Sequence, residues 1–170
     1  MLALLGLTGA DATIRCSCPP ARVRLHTHLA ETRNELAYCA ERFGESPYEF
    51  ARRLDWVGPE VWLAHVVWTT PEEMRLLAET GTAVTHCPTS NMMIGAGLCP
   101  LTEFLQAGVT VGLGTDGSAA HDASDLWGEV RQALLLAHLR DGPASLSARD
   151  VLRLATRGSA ACLGRRTDGM

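Results

Sequence analysis

From residue 23 onward the apolar positions fall into two alternating rhythms, a short period-two or continuous run followed by a longer stripe at helical spacing. Val23 to His28 reads as a strand, and Glu31 to Phe43 as a helix with Leu36, Ala37, Ala40 and Phe43 on one face, closed by Gly44. Ser46-Pro47-Tyr48-Glu49 is a capping box with proline at the first helical position, and predicts a short helix to about Leu54. Val61 to Val67 is a second apolar run. Thr70-Pro71-Glu72-Glu73 repeats the capping signature and opens a helix to Glu79, with Gly81 placed to end it. Thr82 to Cys87 is a third strand. Pro88 to Cys99 is a polar, small-residue segment, and Pro100 to Ala107 a compact helix closed by Gly108. Val109 to Thr115 is a fourth strand, rich in β-branched residues. Ser124 to Leu139 carries a stripe of Leu126, Val130, Ala133, Leu134 and Ala137, and Ser147 with Asp150 opens a last helix through Leu154.

Four strands alternating with helices predict parallel βαβ units with right-handed crossovers, an α/β fold. A complete (β/α)8 TIM barrel takes about 250 residues. The 170 residues here accommodate about four βα units, a partial barrel with an unpaired edge at its first and its fourth strand, and such edges invite pairing with another chain. Residues 22–164 make up this unit, and 165–170 a tail. Residues 1–21 read as an irregular lead-in: Met1 to Leu7 is apolar but too short to span a bilayer and lacks the basic flank of a signal peptide. Cys16 and Cys18 in that stretch form no second pair and give little sign of a metal site.

Composition narrows the partners. The chain is 46% hydrophobic and 20% charged, with a net charge of −4 and no lysine, so it offers no basic surface for nucleic acid. No segment reads as a membrane span. Six cysteines occur without a C-x-x-C pair, which fits a reducing, cytoplasmic setting.

The candidate chemistry lies at the strand ends. His26 and His28 alternate onto one face of the first strand, with Glu31 just past its carboxyl end. Taken alone, this run is either a metal-binding pair with a proton-carrying carboxylate or two hydrogen-bonded core histidines before a helix. His28, His65, His86 and Asp116, however, each fall at or near the carboxyl end of one of the four strands, the end at which a parallel barrel keeps its active site. Packing gives no reason for a titratable group at the same end of every strand. His121 and His138 lack this placement, His138 being expected on a solvated helix face. Trp56, Trp62, Trp68 and Trp127 read as packing residues. His86 and Cys87, as neighbours on a strand, point to opposite faces and so do not make a catalytic dyad.

The runs His26-Thr-His-Leu-Ala-Glu31, Leu63-Ala-His65, His86-Cys-Pro-Thr-Ser-Asn91 and Gly112-Leu-Gly-Thr-Asp-Gly-Ser118 together resemble the second half of the amidohydrolase superfamily. Their order and spacing are similar to the branch that deaminates aminated purines and pyrimidines and dechlorinates triazines. Cys87-Pro-Thr-Ser-Asn-Met92 and Glu129-Val-Arg-Gln-Ala-Leu-Leu-Leu136 look most like the 8-oxoguanine deaminases. The likeness covers residues 22 to 164.

The resemblance implies a role for each matching position. His28 corresponds to a metal-binding histidine of the fifth barrel strand, and Glu31 to the glutamate that carries a proton to a ring nitrogen. His65 matches the sixth-strand histidine that polarises the attacking water or approaches the metal. Asp116 matches the eighth-strand aspartate, both metal ligand and base. His86 and Asn91 fall in the seventh-strand region, with substrate contact as their implied part. The implied metal is zinc, with iron as the substitute, and the implied substrate a small heterocycle. Hydrolytic removal of an amino group needs a strong nucleophile at neutral pH, and a divalent cation supplies it by lowering the pKa of bound water toward ~7.

The family's first strand carries a His-x-His pair that nothing before residue 26 supplies, and the family continues past Gly164 into a small β domain. The chain is therefore expected to be the carboxyl part of such an enzyme, a homo-oligomer or the partner of a missing amino-terminal half. With only His28, Asp116 and His65 as ligands, little activity is expected of it alone. Two other readings stay open at this point: a triazine-type chlorohydrolase, differing in leaving group, and a non-catalytic half-barrel remnant.

Overall fold

The computed structural model describes residues 24–165, so the expected lead-in and all but the first residue of the expected tail lie outside it. Strands β1 (Leu25–Leu29), β2 (Val61–His65), β3 (Ala83–His86) and β4 (Val111–Leu113) form one sheet in chain order, and every neighbouring pair is parallel. Between and after them run α1 (Arg33–Phe43), α2 (Pro47–Arg53), α3 (Pro71–Thr80), α4 (Pro88–Met93), α5 (Leu101–Gln106), α6 (Leu126–Asp141) and α7 (Ala148–Arg153). A π-helical turn, Leu154–Gly158, then leads into α8 (Ser159–Cys162). This is the expected α/β alternation. Among the described residues no helix is long and apolar enough to cross a membrane.

Local chemistry sets the helix ends where the sequence predicts. Ser46 with Glu49, Thr70 with Glu73 and Ser147 with Asp150 all form reciprocal capping boxes, with proline opening α2 and α3. Gly44 and Gly81 adopt the left-handed conformation that stops α1 and α3, each with φ of 70°. The strands are shorter than predicted, because the apolar runs outlast the ladder at one or both ends. Two helical stretches differ more. Pro88 to Met93, within the polar, small-residue segment, is a helix: it buries Ser90 and Asn91, so no apolar stripe marks it. The last helix does not stop at Leu154 but continues through the π turn to Cys162.

The core lies between the sheet and the surrounding helices, with Leu29, Val61, Leu63, Val84, Val111 and Leu113 of the strands facing Tyr48, Leu77, Phe104, Ala133 and Val151. The inward face of α1 is rotated from the one its apolar stripe predicts, whereas α6 keeps most of its stripe, with Val130 and Leu134 packed on the core. On α1 the buried residues are Glu35 and Cys39, while Ala37, Ala40 and Phe43 are exposed; on α6 they are Glu129, Ala133 and Ala137. Trp127, expected to pack, is 72% exposed. His138 is half-buried and pairs through Nε2 with Leu146 O at 2.8 Å, not on a solvated face.

The edge of β4 differs from the expectation as well. Ser159 accepts a hydrogen bond from Leu113 N–H at 3.0 Å and donates to Leu113 O at 2.9 Å, so one hydroxyl takes the place of a neighbouring strand. Arg24, just before β1, donates to Cys162 O at 3.1 Å. The carboxyl-terminal helix thus reaches both outer strands of the sheet, and among the described residues no strand pairs with the outer edge of β1. The approach is close: a Cβ on Gly158 would lie 2.1 Å from Val111 O, although Gly158 itself has an ordinary helical φ of −61°.

Replacing Gly158 by alanine is therefore expected to force α8 off the β4 edge despite alanine's better helix propensity, at a cost of about 1–3 kcal/mol. Urea unfolding of Gly158→Ala beside the wild type measures it, and equal midpoints would show that the contact is loose.

Candidate metal centre

Each site residue sits where a strand gives out. In the β1–β2 register His28 lies opposite Ala64 and Leu29 opposite His65, which brings the two histidines within one register step of each other. At or beyond the ends of β1, β2 and β4 the backbone turns through the left-handed region: Ala30 (φ 50°), His65 (φ 69°), Val66 (φ 47°) and Asp116 (φ 67°) all adopt it without being glycine. Such conformations cost of order 1 kcal/mol or more each and persist only where surrounding bonds hold them. After β1 those bonds come from Glu35, whose carboxylate accepts Ala30 N–H and Glu31 N–H, both at 2.9 Å, while Ala30 O accepts Val67 and Trp68 N–H. The inward turn of Glu35 on α1 is explained by this bond pair. It fixes the backbone from which Glu31 projects.

His28, His65 and Asp116 each offer a ligand atom, and these atoms all lie within 4.8 Å of one another; among the described residues no other group of three does so. His28 Nε2 is 3.7 Å from Asp116 Oδ1, and His65 Nε2 is 3.8 Å from Asp116 Oδ2 and 3.5 Å from Glu31 Oε1. Two ligands about 2.1 Å from a tetrahedral zinc ion stand about 3.4 Å apart, close to these separations.

The bonding of His65 tests the fit. Its Nδ1 meets the side-chain oxygen of Asn91 at 2.8 Å, an acceptor, so Nδ1 carries a proton, and in the neutral ring the lone pair then lies on Nε2. Nε2 is buried and makes no hydrogen bond, and it faces the oxygens of two carboxylates. A buried lone pair among carboxylate oxygens is unfavourable unless a cation stands between them. An imidazole, imidazole and carboxylate set suits zinc.

Electrostatics keep the donors in their ligating forms. Burial would raise the Asp116 carboxyl, but the Ser90 hydroxyl at 2.5 Å, Gly117 N–H at 2.7 Å and the nearby histidines outweigh it and hold Asp116 below the ordinary aspartate value. Burial, and then the neighbouring His65, lower His28, so its ring is neutral at pH 7.

A cavity of about 350 Å3 opens beside the cluster, lined by His26, His28, Trp62, Thr85, Cys87 and Asp116 among others. Trp62 stacks on His26 with ring centroids 3.5 Å apart, giving the cavity a flat wall. A larger groove of about 980 Å3, between α3 and α5, holds no such group of donors. Cys87 faces the cavity while His86 does not, as strand alternation requires, and burial together with Asp116, Glu129 and Glu31 pushes the Cys87 thiol up to about 12, so it is not a nucleophile. His86 and Asn91 are 2% and 1% exposed and do not line the cavity; they lie behind His65, where Asn91 Nδ2 approaches His86 Nδ1 at 3.5 Å.

Four residues that sequence reasoning passed over support the site. Glu35 and Ser90 are described above. His121, on the loop after β4, accepts Ser124 N–H at Nδ1 (2.8 Å) and therefore donates from Nε2 to Glu129 Oε1 (2.9 Å); Glu129 Oε2 accepts Thr89 N–H at 3.1 Å. The available signal was a carboxylate one helical turn before the small buried residues of each helix, Glu35 before Cys39 and Glu129 before Ala133.

The sequence model of the amidohydrolase family matches residues 13–168. The chain belongs to that family. The 8-oxoguanine deaminase of Pseudomonas aeruginosa is 49% identical over 143 residues, covering 84% of this chain and 32% of that protein. Among solved structures, an adenosine deaminase from Xanthomonas campestris with bound zinc superposes with a TM-score of 0.89 at 32% identity, over 95% of this chain and 37% of the other. An atrazine chlorohydrolase from Arthrobacter aurescens, complexed with zinc, gives 0.83 at 41% identity, over 92% and 34%. The chain thus spans about a third of the length of its amidohydrolase relatives, and its four βα units are the partial barrel the sequence predicts.

The buried histidine behind the cluster makes stability depend on pH. Burial, and secondarily His65, lower His86 to about 3, whereas the unfolded chain takes up its proton near the ordinary value of 6.5. Between these values the unfolded state binds more protons, so the His86 contribution is complete above pH 6.5 and is lost progressively as the pH falls toward 3. From pH 7 to pH 5 the expected loss is about 2 kcal/mol. Comparing urea midpoints at the two pH values for wild type and His86→Gln checks it: the variant should lose less by about that amount.

Proposed function

We propose that this chain supplies the cation-holding rim and the proton carrier of a hydrolytic deaminase acting on an aminated purine-like ring, of the 8-oxoguanine type. One observation carries the reading: His65 Nε2, buried without a hydrogen bond opposite Asp116 and Glu31 with His28 alongside. His28, His65 and Asp116 would hold zinc, and iron suits the same donors. When bound, the cation would make water acidic enough to act as a nucleophile at neutral pH.

The remaining work falls to this chain's own side chains. Asp116, kept ionised by Ser90 and Gly117, can accept a proton from the attacking water. Glu31, half-exposed 3.5 Å from His65 Nε2 and outside the three donors, can carry one proton of the water to a ring nitrogen, and the proton that Asp116 takes is passed on to the departing amine. Water adds at the ring carbon bearing the amino group, and ammonia leaves. The stacked His26 and Trp62 offer a planar wall, and the 350 Å3 cavity is of a size for a small heterocycle. A cytoplasmic setting accords with the free, buried thiols of Cys39, Cys87, Cys99 and Cys162. The 41% identity to a zinc-containing chlorohydrolase favours one second reading, chloride rather than ammonia as leaving group.

The 170-residue chain is expected to take up one equivalent of zinc, and His28→Ala or Asp116→Ala to abolish uptake, as read by metal analysis after gel filtration. No zinc at any ratio would leave only a non-catalytic half-barrel. The zinc-loaded chain should release ammonia slowly from 8-oxoguanine in preference to guanine or cytosine, and Glu31→Gln should lower that rate at least 100-fold, on the scale of losing a proton carrier. Chloride release from a chlorotriazine, without ammonia from any purine, would favour the alternative.

A further inference from the structure

Two adjacent residues of one short helix touch two different members of the cluster. Asn91 meets His65 Nδ1 with its side-chain oxygen at 2.8 Å, and Ser90 donates to Asp116 Oδ2 at 2.5 Å. Both are essentially inaccessible, at 1% and 0% exposure, and neither lines the cavity. Their helix, α4, is in turn anchored from outside the site. Glu129, fully buried on α6, takes Thr89 N–H on one oxygen and His121 Nε2–H on the other.

We propose that Asn91 and Ser90 are positioning residues for the cation site, presenting His65 and Asp116 in the forms that bind, and that the Glu129–His121 pair holds the helix that carries them. This rests on the metal reading above, and it assigns Asn91 a part different from substrate contact. The physical requirement is specific. A neutral imidazole has one N–H proton to place, and two carboxylates stand 3.5 and 3.8 Å from His65 Nε2, ready to draw the proton there. A proton on Nε2 would occupy the lone pair that ligation needs. The Asn91 oxygen holds the proton on Nδ1 instead, while the Asn91 NH2 group is turned toward His86 Nδ1, which fixes the amide orientation. Ser90 does the corresponding job for Asp116. Its hydroxyl engages Oδ2, and Gly117 N–H engages Oδ1, so the carboxylate plane is set before any cation arrives. Outer partners of this kind are worth about 10- to 100-fold in metal affinity.

The test reads the His65 tautomer and zinc affinity separately in the 170-residue chain. Long-range 1H–15N spectra of the metal-free wild type should show His65 protonated at Nδ1. Asn91→Leu, close in volume but with no acceptor, should move the proton to Nε2 and weaken zinc binding about 10- to 100-fold by chelator competition. Asn91→Asp restores an acceptor at the same place and should restore both the Nδ1–H tautomer and most of the affinity. Ser90→Ala should weaken zinc about tenfold with the tautomer unchanged. If Asn91→Leu does not fold, Asn91→Asp and Ser90→Ala still decide. An Nε2–H tautomer in the wild type overturns the proposal, as does wild-type zinc affinity in both Ser90→Ala and Asn91→Leu. Loss of zinc in Asn91→Leu with the tautomer unmoved would reduce Asn91 to packing and overturns its part equally. A wild-type chain that binds no zinc yet shows the Nδ1–H tautomer, lost in Asn91→Leu, would sink the metal reading while leaving the tautomer control standing.

Discussion

Parallel pairing of β1 through β4 sends every strand's carboxyl end to the same side of the sheet, and the site exists because of that alignment. His28, His65 and Asp116 come from segments far apart in sequence, and no local interaction brings them together. The ladder does so: it places His65 one register step beyond the partner of His28 and lets the chain after β4 return Asp116 to the same rim. Lateral slippage of one strand by one residue would turn its site residue to the other face.

The rim is held under strain. Four non-glycine residues at or beside the ends of three strands occupy left-handed backbone conformations, and each of these ends carries or precedes a member of the site. The conformations turn the chain sharply enough for a side chain at a strand end to face the cavity. They are sustained by polar bonds, with Glu35 binding the backbone after β1, Leu29 O and Ala30 O binding the backbone after β2, and Ser90 and Gly117 binding the Asp116 carboxylate. The buried carboxylates of Glu35 and Glu129 therefore belong to the scaffold of the site, each satisfied by donors from the segment it holds, as burial of such a group demands.

Membership in the amidohydrolase family and the geometry of the cluster point the same way. A neutral His28 imidazole, an Asp116 held in its ionised form and a buried His65 Nε2 with no hydrogen-bond partner form an arrangement that a cation would complete. The same incompleteness explains why a second layer is needed. Groups that repel one another do not take up a ligating geometry unaided, and here α4 and α6 supply the bonds that set it.

What the sequence determined by itself was whatever rests on local chemistry or on strict alternation. Capping boxes at Ser46, Thr70 and Ser147, glycine stops at Gly44 and Gly81, and four apolar runs between helices were enough for the α/β order and for the placing of His28, His65 and Asp116 at strand ends. What only the tertiary structure decided involved groups whose partners lie far along the chain. The inward face of α1, the inward turn of Glu129 on α6, the helix at Pro88–Met93, the covering of the β4 edge by Ser159, and the hold of Asn91 on His65 all have this character. Apolar periodicity reports burial against hydrocarbon, and it is silent about a polar side chain buried because another segment's hydrogen bond awaits it.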